Sequence, residues 1–241
     1  MGAVFIERGP TSRIVGPEQA EMGLYEAPAW FKNPSAHVEF WKHASTLVGK
    51  EFPPDVSPAG WGLDGRLLGY NTDWRSAMTA LKTQTGIAGE HFLLLGAGGA
   101  ARAIAFGILE NGGLVTITDL DAQRAEALAQ EMRLEAVPLD ALDRCPATIL
   151  INATPVGMAP DLHGLPIDPE LLSRFTLVMD IVYRPLLTRL LREAQAHGAR
   201  IIDGLQMLIH QATAQFELWT GQSAPLETMS RAAYAALEEG G

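Results

Sequence analysis

The sequence predicts an α/β protein built on a doubly wound parallel sheet, and three observations carry that expectation. Short apolar runs alternate with helix-length segments over most of the chain. Glycines stand where helices should stop. Residues 91–120, HFLLLGAGGAARAIAFGILENGGLVTITDL, read in order as strand, glycine-rich turn, helix and strand. Strands that alternate with helices imply parallel pairing through right-handed crossovers.

Residues 1–63 are the least regular part. Residues 4–6 and 12–15 have the composition of short strands, and residues 34–50 hold one helix with Val38, Trp41, Ser45 and Val48 on one face. Pro53, Pro54, Pro58 and Gly60 then read as loop. The aromatics Trp30, Phe31, Phe40, Trp41 and Phe52 read as core anchors. Asp64, Gly65 and Arg66 form a turn signal, and residues 66–70 follow as a strand. Asn71, Thr72 and Asp73 lead into a helix over 74–83, whose Ala77, Met78 and Leu81 share a face. Thr72 or Asp73 can cap it.

The central stretch has a chemical logic. Residues 92–95 form an apolar run of the kind buried on both faces of a parallel sheet. Gly96, Ala97, Gly98, Gly99, Ala100 and Ala101 follow at once, and a helix over 100–109 is stopped by Gly112 and Gly113. A β-branched strand over 115–118 ends on Asp119. Glycines let the backbone turn tightly and approach a diphosphate, and a helix start offers it free N–H groups and a positive dipole end. An acid about 20 positions on can bond ribose hydroxyls, which is the place of Asp119. A glycine pattern alone is weak, but here strand, turn, helix, strand and acid arrive in sequence.

Downstream, helices are expected over 122–132, 185–197, 204–219 and 225–239, and strands over 136–138, 149–153, 178–182 and 200–202. Ligands of such sheets bind beyond the carboxyl ends of the strands. That rule gathers residues 96–101, Asp119, Thr154 and residues 181–183 on one rim.

Composition bounds the function. The 241 residues allow one large domain or two small ones, and 47% hydrophobic content provides for a sizeable core. A formal charge of −10 argues against non-specific nucleic-acid binding. Cys145 is the single cysteine, so no internal disulfide and no cysteine-based metal cluster is expected. No run of about 18 apolar residues suggests a membrane span. The start, MGAVFIERGP, lacks the segments of a signal peptide and has Ile6 where a myristoylation signal wants Ser or Thr. A cytoplasmic protein without a metal, acting as a monomer or homodimer, is the expectation.

From about residue 64 onward the chain resembles the shikimate dehydrogenase family, its quinate-using relatives included. The matching pieces are GYNTD (69–73), LLGAGGAARA (94–103), INATPVGM (151–158), MDIVYRPLLTRLL (179–191) and DGLQMLIHQATAQFELWTG (203–221). The resemblance implies a Rossmann-type NAD(P)-binding domain over 73–205 and a second, reduced substrate domain made of 1–72 and 206–241. It also implies reversible hydride transfer between 3-dehydroshikimate and shikimate. By that resemblance Asp73 contacts a substrate hydroxyl and belongs to the catalytic pair, with Asn71 beside it. Tyr183 and Gln211 line the substrate pocket, while Thr154, Ile181, Gly204 and Met207 surround the nicotinamide and its ribose. By residue type alone, Gln211 reads as a helix-surface amide and Tyr183 as a buried ring. Two other readings stay open: a dehydrogenase of quinate or another cyclic hydroxy acid, and a nucleotide-binding protein without turnover.

Two departures from the family pattern matter. NADP-using members often carry an Asn-Arg-Thr-x-x-Arg segment after the second strand, where this chain has Asp119, Leu120, Asp121, Ala122, Gln123 and Arg124. A carboxylate repels a 2′-phosphate and bonds a free 2′-hydroxyl, so of NAD and NADP the former is expected to be preferred. Arg124 either reaches a phosphate or pairs with Asp121 on the helix surface. The second departure lies in the front of the chain. The family's Ser-x-Ser segment and its Asn-Val-Thr-x-Pro-x-Lys segment, which carries the catalytic lysine, are not found. Thr11 and Ser12 are a poor echo of the first, and Lys32, Lys42 and Lys50 stand in no such context. Aligned acid–base help is worth about 10²–10⁴-fold, so slow turnover is expected without that lysine.

Overall fold

The computed structural model describes residues 71–239. The strands expected at 4–6, 12–15 and 66–70 and the helix within 34–50 lie outside the described residues. Thr72–Gly241 forms one compact unit. Its elements are α1 (Thr72–Lys82), β1 (His91–Leu95), α2 (Gly99–Glu110), β2 (Leu114–Thr118), α3 (Ala122–Met132), β3 (Glu135–Ala136), β4 (Ile149–Asn152), β5 (Leu177–Asp180), α4 (Arg189–Ala196), β6 (Arg200–Ile202), α5 (Gly204–Thr220) and α6 (Leu226–Glu239). All pairings are parallel, in the order β3-β2-β1-β4-β5-β6. The winding reverses between β1 and β4, and that reversal opens a crevice beyond their carboxyl ends. The architecture is the Rossmann-type α/β sheet that the sequence predicted.

Register aligns the strand ends that matter. Leu95 stands beside both Thr118 and Asn152, and Asn152 stands beside Asp180. Alternation within β1 feeds two core layers. Phe92 and Leu94 pack with Ile104 and Ile108 of α2, Leu81 of α1 and Met207 of α5. Leu93 and Leu95 pack with Leu142, Leu172, Leu190 and Leu191 on the opposite face. Each such side chain, fully buried, contributes roughly 1.5–3 kcal/mol. In α2 the buried Ala101, Ile104, Ala105 and Ile108 recur at helical spacing, which makes one stripe for the sheet. Trp74 of α1 meets Phe106 of α2 edge-on, with ring centroids 5.6 Å apart.

The structure corrects several boundaries. The helix expected over 185–197 begins only at Arg189, because the Thr188 hydroxyl accepts the Leu191 N–H and caps it there. The strand expected at 136–138 is the two-residue β3; Pro138 has no N–H to continue a ladder, and a 3₁₀ turn over Leu139–Arg144 starts just after it. A second short 3₁₀ segment spans Pro169–Arg174, and its six residues are too few to show a helical period in the sequence. β4 and β5 stop at Asn152 and Asp180, short of the expected 153 and 182, because those two side chains take up the backbone N–H groups that follow. α5 packs along α1 and α6 packs on α5. No described helix is long and apolar enough to cross a membrane.

Candidate active site

The turn after β1 is shaped by two constraints. Gly96 has φ +102°, and a Cβ there would stand 2.9 Å from Thr154 Cγ2 and 3.1 Å from the Ala153 carbonyl oxygen. Only glycine takes that conformation without strain and leaves that space open. Its N–H donates to the Thr118 carbonyl at 2.7 Å, which ties the elbow to β2. α2 then begins at Gly98 with no side-chain cap and no acid in its first turn. An uncapped helix start lined by backbone suits an anionic diphosphate, so the residues present fit a dinucleotide here.

Asp119 and Arg124 flank this turn. Asp119 Oδ2 accepts the Ala97 N–H at 2.7 Å and its Oδ1 accepts the Asp121 N–H at 2.9 Å. The acid predicted as a ribose ligand therefore also braces the elbow, and each oxygen keeps a second lone pair. Asp121 caps α3, accepting from the N–H groups of Gln123 and Arg124. The Arg124 guanidinium lies over the glycine turn, with Nη2 3.8 Å from the point a Cβ on Gly98 would occupy. Leu120, in the place of the family's arginine, is 86% exposed.

The rim beyond β4 and β5 is held by buried polar groups. Asn152 Nδ2 donates to Asp180 Oδ1 at 3.0 Å, and Asn152 Oδ1 accepts from the N–H and hydroxyl of Thr154. Asp180 Oδ1 also accepts the Val182 N–H, and its Oδ2 accepts the Thr188 hydroxyl at 2.7 Å. Burial pushes the Asp180 carboxyl up to about 6, against the three hydrogen bonds that favour its ionised form. Nearby, α5 starts at Gly204, where a Cβ would fall 2.4 Å from the Ile181 carbonyl oxygen. The first turn of α5 thus lies directly against the strand end, capped by Asp203 through the N–H groups of Leu205 and Gln206.

On α1 and α5, two predicted substrate residues meet. Gln211 Nε2 donates to Asp73 Oδ1 at 2.5 Å, across 138 positions of sequence. One turn further along α5, Gln215 Nε2 lies 3.5 Å from Thr72 Oγ1. Burial holds the Asp73 carboxyl above its usual range, while the Gln211 bond draws it back. Gln211 is therefore an interhelical clasp on the acid, not a surface amide.

The structure brings together Gly96, Ala97, Gly98 and Thr154 with Asp119 and Arg124, brings Ile181 to Gly204, and joins Asp73 to Gln211. Gly99, Ala100 and Ala101 form the first turn of α2. Met207 is 5% exposed in the core layer against which Ile181 packs. Tyr183 is 38% exposed on the loop after β5, which overturns its reading as a buried ring. Asn71 immediately precedes α1. Sequence reasoning gave no role to Asn152, Asp180 or Thr188. The signal was present: ILIN and LVMD are apolar runs that end on one polar residue each.

Comparison with known proteins identifies relatives of the chain and of its fold. A family model of the shikimate 5′-dehydrogenase C-terminal domain matches residues 204–234, which cover α5 and most of α6. A shikimate dehydrogenase (NADP(+)) of Pyrococcus abyssi is 42% identical over 183 residues, 74% of this chain and 67% of that protein. The crystal structure of shikimate 5-dehydrogenase from Thermus thermophilus, in complex with NADP(H) and shikimate, superposes with a TM-score of 0.65 at 43% identity; the match covers 73% of this chain and 66% of that one. Quinate dehydrogenase from Corynebacterium glutamicum, in complex with NAD, superposes with a TM-score of 0.64 at 31% identity over 70% of this chain and 63% of that one. The chain spans about two thirds of the length of such relatives, 64% in one case.

Proposed function

The chain belongs to the shikimate dehydrogenase family, and from that premise we propose that it catalyses reversible hydride transfer between 3-dehydroshikimate and shikimate. The elbow of Gly96, Ala97, Gly98, Gly99, Ala100 and Ala101 would hold the dinucleotide's diphosphate, with Asp119 and Arg124 at the adenosine ribose. Thr154, Ile181, Gly204 and Met207 would meet the nicotinamide and its ribose. When bound, the nicotinamide supplies or accepts the hydride. Asp73, with Asn71, Tyr183 and Gln211, would hold the ring substrate. Residues 73–205 would form the cofactor domain, and residues 1–72 with 206–241 a reduced substrate domain. The same reading places the protein in the cytoplasm, acting on small molecules as a monomer or homodimer.

One observation carries the proposal: Asp73 and Gln211, assigned to a single pocket by motif alone, are hydrogen-bonded to each other. A half-buried carboxylate with a raised pKa is a better proton acceptor than one in water, and the Gln211 amide aims it. Asp73→Ala should lower kcat/KM about 10²–10⁴-fold while nucleotide affinity stays within a small factor. Unchanged turnover in that variant would show that the site is elsewhere.

For the cofactor, the acid at Asp119 and the apolar Leu120 favour NAD. The Arg124 guanidinium beside Gly98 favours NADP, and so does the likeness to relatives named for NADP(+) and to a structure holding NADP(H). The ratio of kcat/KM for the two nucleotides decides, and a clear NADP preference ends the NAD reading. Quinate is the second substrate to assay, given the likeness to a quinate dehydrogenase. The reading without turnover draws on the lysines. Lys82 is the only lysine among the described residues, and it closes the last turn of α1. Nine residues along a helix from Asp73 is roughly 14 Å, too far to share a substrate oxygen. Nucleotide binding without conversion of shikimate or quinate would select that reading.

A further inference from the structure

The carboxyl ends of β4 and β5 carry a polar cluster that the proposed reaction does not itself use. Asn152 and Asp180 are 0% exposed and Thr188 is 1% exposed. Buried polar groups weaken a core unless each donor and acceptor is matched, so a matched cluster at this depth is a specific arrangement. Here the matching is close to complete. Three neutral donors converge on the Asp180 carboxylate: Asn152 Nδ2, the Val182 N–H and the Thr188 hydroxyl. Thr188 Oγ1 in turn accepts the Leu191 N–H at the start of α4. Asn152 Oδ1 accepts both donors of Thr154, and Thr154 Oγ1 accepts the Val156 N–H.

The two ends of this cluster press on the two glycines that line the crevice. Thr154 Cγ2 stands where a Cβ on Gly96 would collide, at 2.9 Å. Ile181, whose N–H donates to the Asn152 carbonyl at 3.1 Å, brings its own carbonyl to within 2.4 Å of a Cβ on Gly204. The Asp180 side chain is thus bonded to both segments, to Thr154 through the Asn152 amide and to the chain just after Ile181 through the Val182 N–H.

We infer that Asp180 is a positioning residue: held by the Thr188 hydroxyl, and acting through the Asn152 amide on one side and the Val182 N–H on the other, its carboxylate sets where Thr154 and Ile181 meet the nicotinamide end of the cofactor. The inference rests on the proposed function, since it presumes a dinucleotide in the crevice. An ionised carboxylate, being acceptor-only, satisfies all three donors at once. An amide offers one acceptor oxygen and one donor nitrogen: with the nitrogen toward Asn152 and Val182 it sets donor against donor, and with the nitrogen toward Thr188 it turns that hydroxyl into an acceptor and takes away the acceptor of its proton.

The test separates the two ends of the nucleotide in the full-length chain. Affinities are measured by calorimetry for NADH against ADP-ribose and for NADPH against 2′-phospho-ADP-ribose, in wild type and in D180N, T188V and T188S. In D180N and T188V the affinity for the ADP-ribose fragments should stay within about twofold, while the extra affinity gained from the nicotinamide ring should fall about fivefold or more, the worth of one lost hydrogen bond. T188S keeps the hydroxyl and should restore that extra affinity. Should D180N not fold, T188V, which retains the shape of the side chain, carries the comparison against T188S. Equal weakening of whole nucleotide and fragment would show general structural damage and overturn the inference. So would no weakening of either, or a wild type that binds the fragments as tightly as the whole nucleotides. If wild type binds neither, the proposed function fails first and this inference falls with it.

Discussion

The phosphate end and the reactive end of the candidate site are built in different ways. The phosphate end is backbone and glycine: Gly96 bonds to Thr118, Ala97 bonds to Asp119 only 22 positions away, and α2 starts without a cap. The reactive end is side chain on side chain: Asn152 with Asp180 across 28 positions, and Gln211 with Asp73 across 138. A backbone cradle tolerates much change around it and almost none at its glycines. A side-chain network can lose one member and keep the fold, but it loses aim. The difference predicts that, under the proposed function, grip on the nucleotide and alignment of its reactive ring can be changed separately.

The largest expected effect breaks the first end. Gly96→Ala combines a positive φ with a contact at 2.9 Å to Thr154. Strain and overpacking together should cost roughly 2–5 kcal/mol of stability and abolish nucleotide binding, read by denaturant unfolding and by titration with NADH or NADPH. Binding that survived intact would mean that the elbow is not the cradle.

The second effect concerns the reactive end and pH. Asp180, raised to about 6, binds a proton more tightly in the folded chain than in the unfolded one. Its contribution to stability is therefore fully present below about pH 4 and is lost as pH rises through about 6, by on the order of 2–3 kcal/mol. Asp180→Asn removes that dependence, so the difference in unfolding free energy between variant and wild type should shift in favour of the variant from pH 4 to pH 7. A difference that stays constant over this range would show that the carboxylate does not titrate there.

The smallest effect sharpens the comparison by moving aim without grip. Gln211→Ala removes the hydrogen bond that draws the Asp73 carboxyl down and leaves the burial that raises it. If the ionised carboxylate is the working form, the acidic limb of the kcat/KM profile should move to higher pH, with nucleotide affinity changed by less than about threefold. An unmoved limb would detach Gln211 from the acid.

Taken alone, the amino-acid order determined the α/β alternation, the buried strand 92–95, the elbow with its glycines, and the family motifs that single out Asp73, Tyr183 and Gln211. Those features rest on rules that act over a few residues: side-chain period, glycine conformations, an uncapped helix start. Only the tertiary structure decided that Gln211 clasps Asp73, that Arg124 turns to Gly98, that Tyr183 stands exposed, and that Asn152, Asp180 and Thr188 close one buried network. It also set the true start of α4, because Thr188 caps that helix while bonded to a carboxylate on another element. The physical reason is range. A hydrogen bond between side chains on different strands or helices depends on register and packing, and these follow from the assembled core and from no local stretch of chain.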